Sequence, residues 1–285
     1  MSAYNETMLI FGGPNVGKTT MLLEIARENP ERDCWFFDFE NKLSRVAQFY
    51  GGVPKNVKRI GAFDVPEVLQ QFNTVVKPAL KAKPESIVLV DMVDQMWERS
   101  QEFYSNFIYE ETTLDFLLAK KKALIESDQD KRPATFEGYY DWPYIKKIHN
   151  SFVDVLFKDS SLNCHVFATA PSRELRPPMD EKGKKNPMGD DPEIYRMFQP
   201  VGVAPAGEKR NPFRFNTIML LRSEGTTMRK FDMSILKDVS RTFGAQTLVL
   251  GKPLTLEKIG NMEIKVASPW VEFCTHVGIT TNLGG

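Results

Sequence analysis

A glycine-rich segment near the start of the chain constrains its fold more than any other feature. The segment has the spacing Gly-x-x-x-x-Gly-Lys-Thr of a phosphate-binding loop, or P-loop. Its residues are Gly12, Gly13, Pro14, Asn15, Val16, Gly17, Lys18, Thr19 and Thr20. An apolar run at 8–11 precedes it and apolar residues at helical spacing follow it, which predicts a strand, a loop and a helix in that order. The segment is therefore predicted to hold phosphate groups at the start of a helix.

The P-loop residues have separate expected roles in holding Mg²⁺ and ATP. Successive backbone N–H groups are expected to surround the β-phosphate, and the helix N-terminus adds positive potential. Lys18 is expected to bridge β- and γ-phosphate oxygens, which makes it catalytic as well as binding, and Thr19 offers a hydroxyl to Mg²⁺. A plain glycine turn is the weaker interpretation, because chance rarely supplies the Lys-Thr pair in this frame.

A second apolar run, at 87–90, ends at Asp91. A carboxylate at this place in a P-loop protein accepts a Mg²⁺-bound water, so Asp91 is predicted to lie with Thr19 on the metal side. Many P-loop ATPases have Glu directly after this residue, but here the next residue is Met92. The base that activates water must therefore come from another strand or be absent.

Glu40 is the candidate for that base. It follows the apolar run at 34–39, which is predicted to form a neighbouring parallel strand. The carboxyl edge of such a strand would bring a carboxylate beside the γ-phosphate. A solvated glutamate at a strand end is the plainer interpretation, and Asp38 is a second, weaker choice for the base.

Charge, hydropathy and cysteine content narrow the class of protein. Lys plus Arg number 37 and Asp plus Glu number 37, so the formal net charge is +0, which argues against coating nucleic acid or membrane by overall charge. The longest apolar runs are far shorter than the roughly 20 residues that cross a bilayer, and no cleavable signal is visible. The three cysteines are scattered in apolar settings, which is typical of buried thiols in a reducing compartment and predicts a cytoplasmic location.

Strands and helices alternate along most of the chain, which predicts an α/β fold with a mainly parallel sheet covered on both faces. An amphipathic helix is predicted at 65–81, ending near Pro78. Residues 97–159 are predicted to form a helical insertion and 172–212 a long loop with a short helix at 194–198. Late antiparallel strands are expected at 216–221 and 229–236. The core domain is placed at 1–245, and 246–285 is expected to be a small β-rich C-terminal extension of the same domain.

Three segments together resemble the core of the RecA-like ATPases: the P-loop, FDFE at 37–40 and VLVD at 88–91. HVFATA at 165–170 and FNTIM at 215–219 extend the similarity to about residues 5–245. The chain most resembles the compact phage-encoded members of the family, some of which are linked to single-strand annealing. The resemblance implies a RecA-like P-loop fold, Mg²⁺-dependent ATP hydrolysis with Glu40 as the catalytic carboxylate, and a ring- or filament-forming homo-oligomer. It also implies single-stranded DNA as a partner, and the host cytoplasm as the location of a phage-encoded protein.

The resemblance also implies a sensor and a trans-acting cation, and the chain departs from the family pattern at both. The sensor strand usually ends in Gln, Asn or His, but here Thr169 is followed by Ala170, so Thr169 is the side chain expected to sense the γ-phosphate. A Lys-x-Arg finger usually reaches the neighbouring subunit. Lys237 keeps the lysine, and Arg241, placed later than the family's arginine, is the expected helper; two solvated charges are the alternative.

DNA binding by a chain with no net charge would have to use the loop after the sensor strand. The predicted DNA-binding cations are Arg173, Arg176, Lys182, Lys184 and Lys185. Acidic residues dilute this set, so a solvated loop of mixed charge is the competing interpretation.

Two other function classes stay open at this stage. One is a P-loop kinase, in which the Arg-rich stretch at 173–176 and the following loop clamp phosphate as a lid. The other is a nucleotide-switched assembly factor that binds protein rather than DNA. A GTPase is the least favoured, because the sequence DMVD at 91–94 lacks the glycine of a DxxG switch and NKLS at 41–44 lacks an aspartate that would recognise guanine.

Overall fold

The computed structural model describes residues 7–48, 51–61, 64–83, 86–129, 132–158, 162, 164–180, 182–186, 189–224, 230–238 and 247–248. The strands in these ranges are β1 (Thr7–Gly12), β2 (Cys34–Asp38), β3 (Val57–Ile60), β4 (Ser86–Asp91), β5 (Cys164–Glu174), β6 (Val203–Pro205), β7 (Thr217–Glu224), β8 (Lys230–Asp238) and β9 (Thr247–Leu248). The α-helices are α1 (Lys18–Arg27), α2 (Leu43–Gln48), α3 (Val65–Gln71), α4 (Lys77–Ala82), α5 (Val93–Tyr109), α6 (Thr113–Glu126), α7 (Trp142–Lys158) and α8 (Pro192–Phe198).

The strands form one sheet in the order β3-β2-β4-β5-β1-β7-β8-β9, and β6 pairs with the extended end of β5. The first six strands in this order run parallel, whereas β8, β9 and β6 pair antiparallel. This arrangement confirms the expected α/β fold with a mainly parallel sheet and late antiparallel strands. Because β5 lies between β1 and β4, the ends of these three strands meet at one edge of the sheet.

Alternate residues of the central strands pack into two separate cores, one on each face of the sheet. In β1, Leu9 and Phe11 join the core covered by α3, α5, α7 and α8, whereas Met8 and Ile10 join the core covered by α1 and α2. Successive side chains of a strand point to opposite faces, so a strand buried on both faces reads as a continuous apolar run. This is why the short runs at 8–11 and 87–90 predicted central strands correctly.

Two predicted segments differ in detail from the structure. The helix expected to end near Pro78 continues to Ala82 through a π-helical turn at Phe72–Val76, and Pro78 lies in the first turn of α4. Proline lacks the N–H that a regular helix needs, and a widened turn just before it accommodates that loss. In the region predicted as a loop at 172–212, β5 continues to Glu174 and β6 pairs with it, so the base of this region is a hairpin.

The predicted helical insertion consists of α5, α6 and α7, and α5 begins directly after β4. No helix in the described ranges combines the length and hydropathy that a bilayer crossing needs.

Cys34 and Cys164 are free and buried, and burial raises the pKa of each thiol to about 12. Cys274 lies outside the described residues.

Candidate active site

The P-loop connects the end of β1 to the start of α1, as predicted. A Cβ on Gly12 would lie 2.2 Å from the backbone oxygen of Leu221 in β7, so only glycine allows these strands to approach each other here. Gly17 has φ 93°, in the left-handed region that glycine adopts at low cost, and α1 begins at the next residue. The two glycines of the motif are therefore fixed by the packing of the sheet and by the turn into the helix.

The Lys18 side chain folds back over the P-loop. Its Nζ donates hydrogen bonds to the carbonyl oxygens of Gly12, at 3.0 Å, and Gly13, at 2.7 Å. Burial lowers the pKa of Lys18, while the nearby carboxylates of Asp91, Glu40 and Asp94 oppose this by favouring the charged form. The ammonium group thus interacts electrostatically with three acidic side chains of this sheet edge.

The structure brings together the two residues predicted on the metal side. The Thr19 hydroxyl donates to Asp91 Oδ2 at 2.7 Å, although the two residues lie 72 positions apart. A hydroxyl and a carboxylate side by side are hard oxygen donors of the kind that Mg²⁺ takes together with phosphate oxygens and water. The described residues hold no cluster of three or more His, Cys, Asp or Glu that could bind a metal by protein groups alone. Mg²⁺ bound with a nucleotide does not require such a cluster, because phosphate oxygens and water supply the other ligands.

Thr169, the predicted sensor, lies beside Asp91. Its hydroxyl forms a short hydrogen bond to Asp91 Oδ1, so the two oxygens of Asp91 are occupied by two different threonines. Asp91 is fully buried, and burial raises its pKa, while the bonds from Thr169 and Thr19 favour the ionised form. Thr169 therefore fixes the orientation of the carboxylate, a contact that the sequence did not predict.

Glu40 is the second residue after β2, and the residue before it contacts the end of β4. The N–H of Phe39 donates to the Asp91 carbonyl at 2.8 Å, which ties the two strand ends together. Glu40 itself is half-buried and accepts a hydrogen bond at 2.8 Å from Lys42, whose side chain is exposed. A pair with one exposed partner is weak, so Lys42 leaves the Glu40 carboxylate able to move toward a ligand.

Asp38, the second choice for the base, has a structural position instead. It is buried, accepts hydrogen bonds from the N–H groups of Lys42 and Leu43 at the start of α2, and pairs with Arg59 at 2.8 Å. Its oxygens are engaged by a helix terminus and a cation, which favours Glu40 over Asp38 as the reactive carboxylate.

Asp94 is a third acidic residue of this edge that the sequence did not single out. It lies in the first turn of α5, is 5% exposed, and its Oδ1 has no hydrogen-bond partner among the described residues. Burial raises its pKa to about 7, and repulsion from Glu98 and Glu40 adds to this. An acidic residue at a helix start is ordinary in sequence, so only its burial and its electrostatic interaction with Lys18 distinguish it.

Of the two predicted trans-acting residues, Lys237 lies near the end of β8. Lys237 donates from Nζ to the carbonyl oxygens of Pro212, Phe213 and Phe215, at 3.1, 3.4 and 2.5 Å, and burial lowers its pKa. To reach a neighbouring subunit it would have to exchange these three carbonyl contacts. Arg241 lies outside the described residues.

The five predicted DNA-binding cations fall into two groups. Arg173 forms a two-bond pair with the buried Asp190, at 2.9 and 2.6 Å, and the N–H of Arg176 donates to the same carboxylate. The side chains of the other four residues are exposed: Arg176, Lys182, Lys184 and Lys185. The structure therefore leaves four exposed cations and commits one to the fold.

The comparisons with known proteins add no family assignment, since no protein-family model and no curated protein matches this sequence. The functional interpretation rests on the geometry of the P-loop edge.

Proposed function

We propose that this protein is a Mg²⁺-dependent ATPase with a RecA-like core. The observation that carries the proposal is the contact between Thr19 of the P-loop and Asp91 at the end of β4, because it joins the phosphate-binding loop to the expected metal-side carboxylate. Because β5 lies between β1 and β4, Thr169, the expected sensor, lies at the same sheet edge and contacts Asp91. Glu40 at the end of the adjacent strand supplies the expected base.

In the proposed reaction the oxygen of a water molecule forms a bond to the γ-phosphorus. The bond from that phosphorus to the bridging oxygen breaks, ADP leaves with the electron pair, and the proton of the water passes to Glu40. Lys18 holds the β- and γ-phosphate oxygens throughout. Mg²⁺, when bound beside Thr19 and Asp91, neutralises phosphate charge.

The test is phosphate release from ATP, measured with Mg²⁺ and with EDTA. Glu40→Gln is expected to bind a fluorescent ATP analogue as the wild type does but to release almost no phosphate. Lys42→Ala is the matched control, because it removes the ion-pair partner of Glu40 without touching the carboxylate. Normal hydrolysis by the Gln variant would exclude Glu40 as the base. Transfer of the phosphate to a nucleotide or metabolite instead of water would support the kinase alternative.

We further propose that the ATPase assembles into a ring or filament and binds single-stranded DNA through the loop after β5. The support is the exposure of Arg176, Lys182, Lys184 and Lys185. Each phosphate contact with a single strand contributes about −0.7 to the slope of the logarithm of the binding constant against the logarithm of salt concentration. Four cations that each contact one phosphate would therefore give one subunit a slope of about −3 at most. Fluorescence anisotropy of a labelled oligonucleotide at several salt concentrations measures it, and no binding at low salt would refute the DNA proposal and favour a protein-binding assembly factor.

Assembly is tested by light scattering with a non-hydrolysable ATP analogue, with and without the oligonucleotide. A trans-acting Lys237 requires the specific activity to rise with protein concentration. A monomer whose activity is strictly linear in concentration would contradict both the assembly and the role of Lys237.

A further inference from the structure

The carboxylate of Asp94 occupies an unusual position at the start of α5. The helix begins two residues after Asp91, so its first turn lies at the same sheet edge as the P-loop. Hydrogen bonds from the backbone N–H groups of Asp94 and Gln95 favour its ionised form, as at many helix starts. Its Oδ1, however, is buried and has no partner within the described part of the chain. These first-turn interactions account for one side of the carboxylate and leave this oxygen unexplained.

Gly207 closes the outer side of Asp94. A Cβ at this position would lie 3.1 Å from both Cα and Cβ of Asp94, and Gly207 has φ +96°, so the loop after β6 packs its bare backbone against the aspartate. This contact explains the 5% exposure of Asp94. The Gly207 backbone therefore covers the Cα and Cβ of Asp94.

The charged groups that act on Asp94 belong to the candidate active site and to its own helix. Asp94 is one of three carboxylates that favour the charged form of Lys18. Glu98, one turn later on α5, and Glu40 at the end of β2 both disfavour the ionised form of Asp94. Asp94 thus belongs to the same electrostatic cluster as the P-loop lysine and the proposed base.

We propose that Asp94 is a second carboxylate of the hydrolytic centre, and that its Oδ1 accepts a hydrogen bond from the attacking water beside Glu40. This inference rests on the proposed ATPase function. The proton that the water loses passes to Glu40, whereas Asp94 accepts a hydrogen bond from the other O–H of the same water. Two acceptors fix the direction of the attacking lone pair better than one, which favours the in-line geometry.

A structural role makes a different prediction. A buried carboxylate oxygen without a partner costs stability, so Asp94 does not resemble a residue kept to hold the fold together. The competing partner is the amide of Asn211, whose Nδ2 is also buried and without a partner in the described ranges, and lies 3.8 Å from the same Cβ position at Gly207. A water shared by Asp94 and Asn211 would fill this space without any part in hydrolysis.

The test compares Asp94→Asn with Glu98→Gln in the full-length protein. Both remove one negative charge from α5, but Glu98 is exposed. We expect Asp94→Asn to lower kcat by about 10- to 100-fold, because a misdirected water reacts that much more slowly. The Kd for a fluorescent ATP analogue should change less than about threefold, and Glu98→Gln should change neither quantity by more than about twofold. Asn211→Ala should leave kcat within about twofold if Asp94 faces the attacking water.

The possible outcomes separate the two proposals. If Glu40→Gln is inactive while Asp94→Asn matches Glu98→Gln, the ATPase stands and the role of Asp94 is refuted. If Asp94→Asn and Asn211→Ala lower kcat equally, or if Asp94→Asn lowers ATP affinity and the unfolding temperature together, Asp94 is a structural residue. If the wild type neither binds nor hydrolyses ATP, both proposals fail.

Discussion

Replacing Asp94 should make the stability of the protein less dependent on pH. The pKa of Asp94 is raised by burial to about 7 from an ordinary value of 3.8. The folded protein therefore keeps a proton that the unfolded chain releases above about pH 4, so this group makes the wild type less stable as the pH rises from about 4 to about 7. Asp94→Asn does not titrate and escapes this loss.

The size of the effect follows from the two pKa values. At about 1.4 kcal/mol per pKa unit, the full difference corresponds to about 4 kcal/mol, of which about 2.5 kcal/mol develops between pH 5 and pH 8. The buried amide of the Asn variant has its own cost of about 1–3 kcal/mol, but that cost is the same at both pH values. The change in the stability difference between the two pH values is therefore the quantity to measure.

Urea unfolding of the wild type, Asp94→Asn and Glu98→Gln at pH 5 and pH 8 measures this change. Titrating groups other than Asp94 and Glu98 are common to all three proteins and cancel in the differences. We expect the stability of Asp94→Asn relative to wild type to increase by about 2.5 kcal/mol from pH 5 to pH 8, and that of Glu98→Gln by a small fraction of this. If the two variants show the same change, the Asp94 carboxylate is not held in the environment described above.

Three other changes test the P-loop and the end of the sheet. Lys18→Ala should abolish ATP binding, measured by fluorescence titration with the analogue, because it removes the cation that holds the β- and γ-phosphates. Gly12→Ala should lower the free energy of unfolding by about 2 kcal/mol or more, because its Cβ would collide with a backbone oxygen of β7. The control is Gly13→Ala, whose Cβ would meet only a Val16 methyl at 3.9 Å. Urea unfolding without nucleotide measures the difference between the two variants. Lys237→Ala should lower the free energy of unfolding by about 1–2 kcal/mol in the same assay, because three carbonyl oxygens lose a charged donor. If Lys237 acts on a neighbouring subunit, the same variant should also lose the rise of specific activity with protein concentration.

The sequence predicted the parts of the site that are encoded locally. The P-loop needs one short segment between a strand and a helix, and an apolar run ending in Asp91 is sufficient to place a carboxylate at a strand end. The hydrogen bond from Thr169 to Asp91 was not predicted, because it depends on β5 lying between β1 and β4, and strand order is set by packing of the whole sheet. Asp94 was missed because an acidic first turn is ordinary in a helix, and its burial comes from a loop more than a hundred positions away.

Charge pairing within the loop after β5 was the least predictable feature of the candidate site. Asp190 lies 17 positions from Arg173, and no local pattern shows that its carboxylate engages this arginine rather than a lysine nearby. Arg173 lies on β5, four positions after Thr169 and thus on the same face of the strand as the residue that contacts Asp91. β5 therefore reaches from the P-loop edge to the base of the loop that carries the four exposed cations. A chain with no net charge can therefore expose four cations on one loop, beside the exposed Asp180, because the sum of charges does not determine where individual charges lie.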